Sequence, residues 1–316
     1  MRFAYPAIDF DAQTILHFAE IFQSGWVSNS EHVRNLEKHF IEKFNVKYAI
    51  ACCNATQGLS IALTAADWKN KKVLVPAFTW PSTVYAIERN SCIPVYADIN
   101  AETWAIDVNS STEKFDAVVP VDIFGNMVEP ELLADIPVIY DAAHGYGLPR
   151  LGHRGLAEVV SMSHTKYPTA SEGGILLTND PTIAKNATEL RRLAARMSEF
   201  NAIIGLNSIR NYEHWRIKRN ELIQHYLDEI KHPFDLQKIP HATNNSVFAL
   251  LFEPELRNRI VNNLTDKLQL EIKVYYEPLA RGLKNTEYVF SRILALPTHM
   301  KMFEIIDDVI KCINNS

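Results

Sequence analysis

The stretch Val138-Ile139-Tyr140-Asp141-Ala142-Ala143-His144-Gly145 and its successor Val159-Val160-Ser161-Met162-Ser163-His164-Thr165-Lys166 decide the reading of this chain. Each begins as an apolar, β-branched run, the composition of a strand covered on both faces, and each stops at polar residues that open a turn. Strands covered on both faces belong to a mostly parallel sheet wrapped by helices. An acid closes the first run and a lysine stands just past the second. In such sheets ligands collect where strands end and helices begin.

Outward from this pair, short β-rich runs alternate with helical patterns from about Trp26 to Asp180. The expected strands are Tyr48–Cys53, Val73–Val75, Pro94–Ala97, Ala117–Val121, Val138–Tyr140, Val159–Ser163 and Ile175–Thr178. Ser28-Asn29-Ser30-Glu31 has the spacing of a capping box, and the helix after it carries Val33, Leu36, Phe40, Ile41 and Phe44 on one face. A second helix is expected near Thr56 and a third at Pro81, where Thr79 can cap and proline suits the first turn. Beyond Asp180 the pattern is helical through Ile183–Ser198 and Ile209–Ile230, then an α+β tail with Phe248–Phe252, Glu271–Tyr276 and Met302–Ile313. The reading is an α/β fold with a large domain over residues 1–205 and a small C-terminal α+β domain over 206–316. There are no internal repeats and no Gly/Ser-rich linker.

The bulk chemistry narrows the function classes. The 316 residues are 47% hydrophobic and 22% charged, enough chain for one large core and a smaller second one. A net charge of -5 and the lack of a basic run give no surface for a nucleic-acid backbone. No stretch approaches the roughly 18 apolar residues of a membrane span, and the first twenty residues are interrupted by acids, so a soluble, cytoplasmic protein is expected. Cys52, Cys53, Cys92 and Cys312 form neither a CxxC pair nor a disulfide framework, which fits reduced thiols.

Four pieces bring chemistry to the expected strand ends. Lys166, with Glu172-Gly173-Gly174 beyond it, is by itself read as an exposed lysine, the common case. Asp141 by itself is as well explained as a cap for the next turn. Cys53-Asn54-Ala55-Thr56-Gln57 is either a plain helix N-cap or a set of N–H and hydroxyl donors for a phosphate. Trp80, within Pro76-Ala77-Phe78-Thr79-Trp80-Pro81, is either core or a flat partner for a ligand ring. A metal hydrolase built on His144, His153 and His164 is a further alternative, but spacings of nine and eleven match no compact ligand motif. No GxGxxG, Walker A or GxSxG pattern occurs.

In order and content these pieces resemble the DegT/StrS-type sugar aminotransferases, a family of fold-type-I pyridoxal phosphate enzymes, over most of the chain. The resemblance starts at Gly25-Trp26-Val27-Ser28 with Leu36-Glu37, and continues through the turn at Asn54-Ala55-Thr56, where the family commonly has Ser-Gly-Thr. It includes Val75–Trp80, Pro94–Ile99, Pro120-Val121-Asp122-Ile123-Phe124-Gly125, Asp141-Ala142-Ala143-His144 and the lysine block with Ser161 five residues before Lys166. Arg196–Leu206, Val274–Leu279 and Leu294-Ala295-Leu296-Pro297 complete it.

The resemblance implies an aspartate-aminotransferase-like fold and a set of roles. Lys166 is implied to carry pyridoxal 5'-phosphate as a Schiff base and to shuttle a proton. Asp141 is implied to bind the pyridine nitrogen, keeping it protonated so that the ring accepts electrons. His144 would contact the ring hydroxyl and Trp80 cover the ring face. Ala55 through its backbone, Thr56 and Ser161 would hold the phosphate. The implied reaction takes an amino group from an amino acid, glutamate first among them, and delivers it to a keto sugar linked to a nucleoside diphosphate. Two half-reactions at one site give ping-pong kinetics. A homodimer and a place in amino-sugar and polysaccharide biosynthesis are implied with it.

The chain departs from the family at some positions. Only residues 181–195 separate Asp180 from Arg196, where the family carries a longer excursion toward a partner subunit. Ala194-Ala195 replace an Asn-Tyr pair, Asp122 replaces a His, and Tyr167 replaces an Asn. These changes leave the cofactor chemistry standing and bear on the acceptor. A different small ketone, a cyclitol or an amino acid is the alternative substrate, and a non-catalytic or regulatory protein on the same fold is the alternative class. Retention of Lys166 argues against the family's dehydratase branch, in which histidine takes that position.

Overall fold

Apolar side chains alternate along each strand of the large sheet, and the two sets feed two cores. Val73 and Val75, Val159 and Leu176 point into one core with Leu59, Ile61 and Leu63; Leu74, Val160, Ile175 and Leu177 point into the other with Val33, Leu36 and Phe40. Successive strand residues face opposite sides, so a sheet that is mostly apolar on both faces needs helices on both. The computed structural model describes residues 12–129, 133 and 136–316 and has this form. Its first part contains α1 (Ala12–Ser24), α2 (Glu31–Phe44), β1 (Tyr48–Cys52), α3 (Ala55–Ala65), β2 (Lys72–Pro76), α4 (Pro81–Arg89), β3 (Ile93–Ala97) and β4 (Ala117–Val118). Then come β5 (Ile139–Asp141), β6 (Ala157–Ser161), β7 (Gly174–Thr178), α5 (Pro181–Ala194) and α6 (Glu199–Arg210).

The ladders run β3-β2-β4 and β5-β6-β7-β1. Parallel bridges from Val118 to Val138 and from Val121 to Asp141 join them into one sheet, ordered β3-β2-β4-β5-β6-β7-β1. Only β7 runs against its neighbours. The C-terminal ends of β1, β5 and β6 therefore lie at one end of the sheet, where β7 begins. Register makes this explicit: Asp141 lies opposite Val159, Ser161 opposite Gly174, and Gly174 opposite Cys52.

Several expected boundaries shift for identifiable reasons. The expected capping box does not form: Ser30 makes no side-chain cap for α2. The buried carboxylate of Glu199 serves instead, accepting from the backbone N–H groups of Ser30 (2.6 Å), His32 (2.7 Å) and Val33 (3.2 Å). Thr79 does not cap α4 either; Trp80 is the N-cap residue, and the Thr79 hydroxyl lies 3.2 Å from that of Thr83. The helix expected to reach Ser198 stops at Ala194, because the next residues extend along β1: the Cys53 N–H donates to the Ala195 carbonyl (2.9 Å) and Arg196 bridges Cys52.

Asp122, one of the departures from the family pattern, belongs to the core. Its two oxygens accept from Arg154 at 2.9 and 2.6 Å, Glu158 accepts from the same guanidinium at 3.0 and 2.6 Å, and the Tyr140 ring lies 4.4 Å beneath it. Two carboxylates around one fully buried guanidinium hold it charged.

The C-terminal part contains α7 (Tyr212–Glu229), β8 (Asp235–Leu236), β9 (Phe248–Leu251), α8 (Pro254–Leu268), α9 (Lys284–Arg292), β10 (Ile293–Leu296) and α10 (Ile306–Asn314). Its antiparallel sheet, β10-β9-β8, shares a core with Leu222 and Tyr226 of α7, Ile260 and Leu264 of α8, and Val309 and Ile313 of α10. Glu271–Tyr276 forms no strand, only a bridge from Lys273 to Ala295. Its aromatic end turns away to the large sheet, where Tyr276 meets Phe78 (5.6 Å) and Phe124 (5.7 Å). The large core extends along the chain to Tyr212 and the small one begins at Leu222. We therefore propose that the domains meet within α7, somewhat beyond the residue 205 expected from sequence.

Candidate active site

Lys166 lies in the loop leaving β6, and its Nζ donates to Nε2 of His144 at 2.7 Å. An Nε2 that accepts leaves the ring proton on Nδ1, which faces the Ser246 hydroxyl at 2.9 Å. The Ser246 hydroxyl, which can accept from that N–H, holds the ring in place. Asn244 steadies the same histidine from the main chain, donating through Nδ2 to the carbonyls of His144 (2.5 Å) and Tyr146 (2.8 Å). A Cβ on Gly125 would run into the Asn244 amide, so that approach requires glycine there.

Asp141 is buried at the end of β5. Its Oδ2 accepts from the Thr83 hydroxyl (2.7 Å) and its Oδ1 from the Ala143 N–H (3.0 Å). Burial raises its carboxyl above the usual range, while these two donors and the Lys166 charge oppose the rise. Burial also pulls the Lys166 ammonium down to about 8, against the attraction of Asp141. Burial and then the charges of Lys166 and Arg219 hold His144 well below the ordinary imidazole range, so it is neutral. The site pairs a readily deprotonated amine with a neutral ring acceptor and a fixed carboxylate.

The turn before α3 stands at the same end of the sheet. Asn54 caps it, its side chain accepting from Gln57 N–H at 2.8 Å. The N–H groups of Ala55 and Thr56, in the first turn of the helix, have no intrahelical acceptor and point toward the sheet end, an anion-binding arrangement. The start of β7 lies directly against this turn: a Cβ on Gly174 would fall 2.6 Å from the Ala55 nitrogen. Ser161 ends β6 across the ladder from Gly174, which places it roughly 10 Å, two strand spacings, from the β1 end. Trp80 precedes α4 and keeps 59% of its surface open, with Tyr276 at its edge (6.3 Å).

The sequence points to Ala55, Thr56, Trp80, Asp141, His144, Ser161 and Lys166, and the sheet order brings their elements to one end. Thr83, Asn244, Ser246 and Arg219 were not. Thr83 stands one helical turn after Thr79 in a motif already quoted, whereas Asn244 and Ser246 lie about a hundred residues from His144 in a polar run that carries no spacing signal. The other histidines of the hydrolase alternative lie apart: His153 Nε2 pairs with the Phe44 carbonyl (2.9 Å), and His164 stands 3.8 Å from Glu172. Tyr167, replacing an Asn, anchors the lysine loop by stacking on Tyr212 (5.6 Å) with Arg219 over its ring (5.3 Å).

The sequence matches the DegT/DnrJ/EryC1/StrS aminotransferase family over residues 9–314. The chain belongs to this family. It is a pyridoxal-phosphate-dependent aminotransferase of fold type I. A relative from Methanocaldococcus jannaschii, the uncharacterized protein MJ1066, is 26% identical, with 93% of this chain and 92% of that protein aligned. The fold is similar to that of DesI, crystallised in the presence of its TDP-sugar product (TM-score 0.86, 24% identity, 98% of this chain and 92% of that one). It is also similar to NtdA from Bacillus subtilis, which has bound PMP (TM-score 0.85, 20% identity, 96% and 82%).

The aminotransferase's own residues fit the cofactor. A buried carboxylate oriented by two donors, an amine lowered by burial, and the first-turn N–H groups of Ala55 and Thr56 stand at one sheet end, matching a molecule with a ring nitrogen, a carbonyl carbon and a phosphate.

Proposed function

We propose that this aminotransferase moves the amino group of an amino acid, glutamate as the expected donor, to a keto sugar linked to a nucleoside diphosphate, as a cytoplasmic homodimer. The observation that carries the reading is the part-buried contact of Lys166 Nζ with His144 beside Asp141.

Pyridoxal phosphate, when bound, supplies the electron sink that lets a Cα proton of the donor be removed. Asp141 holds a proton at the pyridine nitrogen, and Thr83 and the Ala143 N–H keep its oxygens aimed. The N–H groups of Ala55 and Thr56, with the hydroxyls of Thr56 and Ser161, bind the phosphate. His144, held in place by Ser246, would orient Lys166 and the ring hydroxyl. Lys166 would hold the cofactor through its Nζ, and the same amine, when free, would be the base that takes and returns the donor's Cα proton. Trp80 covers the ring and keeps water off it.

A second reading, a smaller keto acceptor, is favoured by residues 181–194, which form α5 with no excursion beyond it. The test is to load the protein with cofactor, record the visible spectrum, add glutamate, and compare wild type with Lys166→Ala. A visible band that needs Lys166 and bleaches with glutamate supports the first half-reaction. Regeneration of that band by keto sugar nucleotides, and not by small ketones, separates the two acceptors. A band indifferent to every amino acid would sink the proposal.

A further inference from the structure

Helix α1 lies on the outside of the large unit, with only Thr14 and Ile21 buried. Phe18 and Phe22 tie it to Phe200 of α6, at ring separations of 5.7 and 5.1 Å. Between α1, α2 and α6 there is an open cavity of about 570 Å³. Polar side chains meet on its wall, and the reaction described above uses none of them.

His17 and Glu20 stand one helical turn apart on the same face of α1. Nδ1 of His17 lies 2.9 Å from Oε2 of Glu20. The ring of His32, from α2, approaches that of His17 edge-on at 5.4 Å. One ring nitrogen from each histidine and one Glu20 oxygen all lie within 4.8 Å of one another.

We propose that His17, Glu20 and His32 bind a divalent transition-metal cation of the zinc class, stapling α1 onto α2. Two imidazoles and one carboxylate are the donor set such cations take, whereas magnesium and calcium favour all-oxygen sites. Bonds of about 2.1 Å in a tetrahedral site put ligand atoms roughly 3.4 Å apart. The His17–Glu20 pair, at 2.9 Å, has to open slightly to reach that separation, and the Glu20 side chain, 64% exposed, has room to rotate toward His32. The main chain of His32 is fixed, because its N–H donates to the Glu199 carboxylate. The cavity leaves the fourth position open to water or a small ligand.

The test uses the cofactor-loaded enzyme, stripped of metal by a chelator, desalted and titrated calorimetrically with zinc chloride. The variants are His17→Ala, His32→Ala, their combination and the milder Glu20→Gln. Wild type should take up one equivalent per chain, each single variant should bind at least tenfold more weakly, and the double variant should show no such site. Magnesium chloride should give no binding heat, and the cofactor's visible band should be the same in all variants, which certifies their fold. Zinc should also slow proteolysis within residues 12–24 of wild type alone. Absence of a stoichiometric site in wild type overturns the proposal. Its survival in the double variant does so too, since it means an adventitious ion only.

Discussion

Lys166 places an amine where water solvates an ammonium poorly, and that single fact governs its reactivity. Burial lowers it from 10.5 to about 8 and the Asp141 charge limits the fall. Only the neutral amine attacks a carbonyl carbon, so attachment of the cofactor should accelerate as pH rises through about 8 and then level off. Stopped-flow absorbance after mixing cofactor-free protein with pyridoxal phosphate measures this; a rate still climbing toward pH 10.5 would contradict it. Asp141→Asn removes the stabilising charge and should move the midpoint lower. Linkage gives a second sign: between about 8 and 10.5 the unfolded lysine holds a proton that the folded one does not. The cofactor-free protein should therefore gain stability from this group as pH rises through that window. At this scale the sequence exposes Lys166, Asp141 and His144 because polar residues interrupt apolar runs. It hides Ser246 and Thr83, whose importance comes from what they touch across the fold.

Among the elements, periodicity located most of the strands and helices, and the exceptions share a cause. A boundary set by local capping or alternation is legible, while one set by a distant partner is not. The start of α2 is the clearest case, since Ser28-Asn29-Ser30-Glu31 advertises a local cap and the cap comes from Glu199, beyond α5. The N–H groups of the N-cap residue Ser30 and of two first-turn residues depend on that one carboxylate, which also sits at the positive end of the α2 dipole. Glu199→Ala leaves them without acceptors in a partly buried place and should cost roughly 2–3 kcal/mol. Glu199→Gln, which keeps one acceptor oxygen, should cost less. Denaturant midpoints at constant slope are the measurement, and a loss within about 0.5 kcal/mol, typical of a surface change, would mean water caps α2 as well. The same logic explains Glu271–Tyr276, where alternation suggests a strand and the large sheet claims the aromatics.

The two sheets meet over a shared apolar cluster to which Phe78, Ile99, Trp104 and Phe124 contribute from one side and Ala249, Leu251, Val289 and Ala295 from the other. A polar clamp aligns this contact. Asp98, just past β3, accepts from the backbone N–H groups of Asn285 (2.9 Å) and Thr286 (2.8 Å) and from the Thr286 hydroxyl (2.8 Å). It caps α9, which has no side-chain cap of its own. The large unit thus completes a helix of the small one, and cooperativity between them passes partly through a single carboxylate. Since Ser246 reaches His144 from the segment leading into β9, the small unit's seating also positions the histidine beside Lys166. Asp98→Ala should speed amide hydrogen exchange throughout α9 while leaving β5 and β6 protected, and should lower stability by roughly 2–3 kcal/mol. If α9 exchanged no faster than in wild type, the apolar cluster alone would hold the units together, and the clamp would be a consequence of their docking instead of a cause.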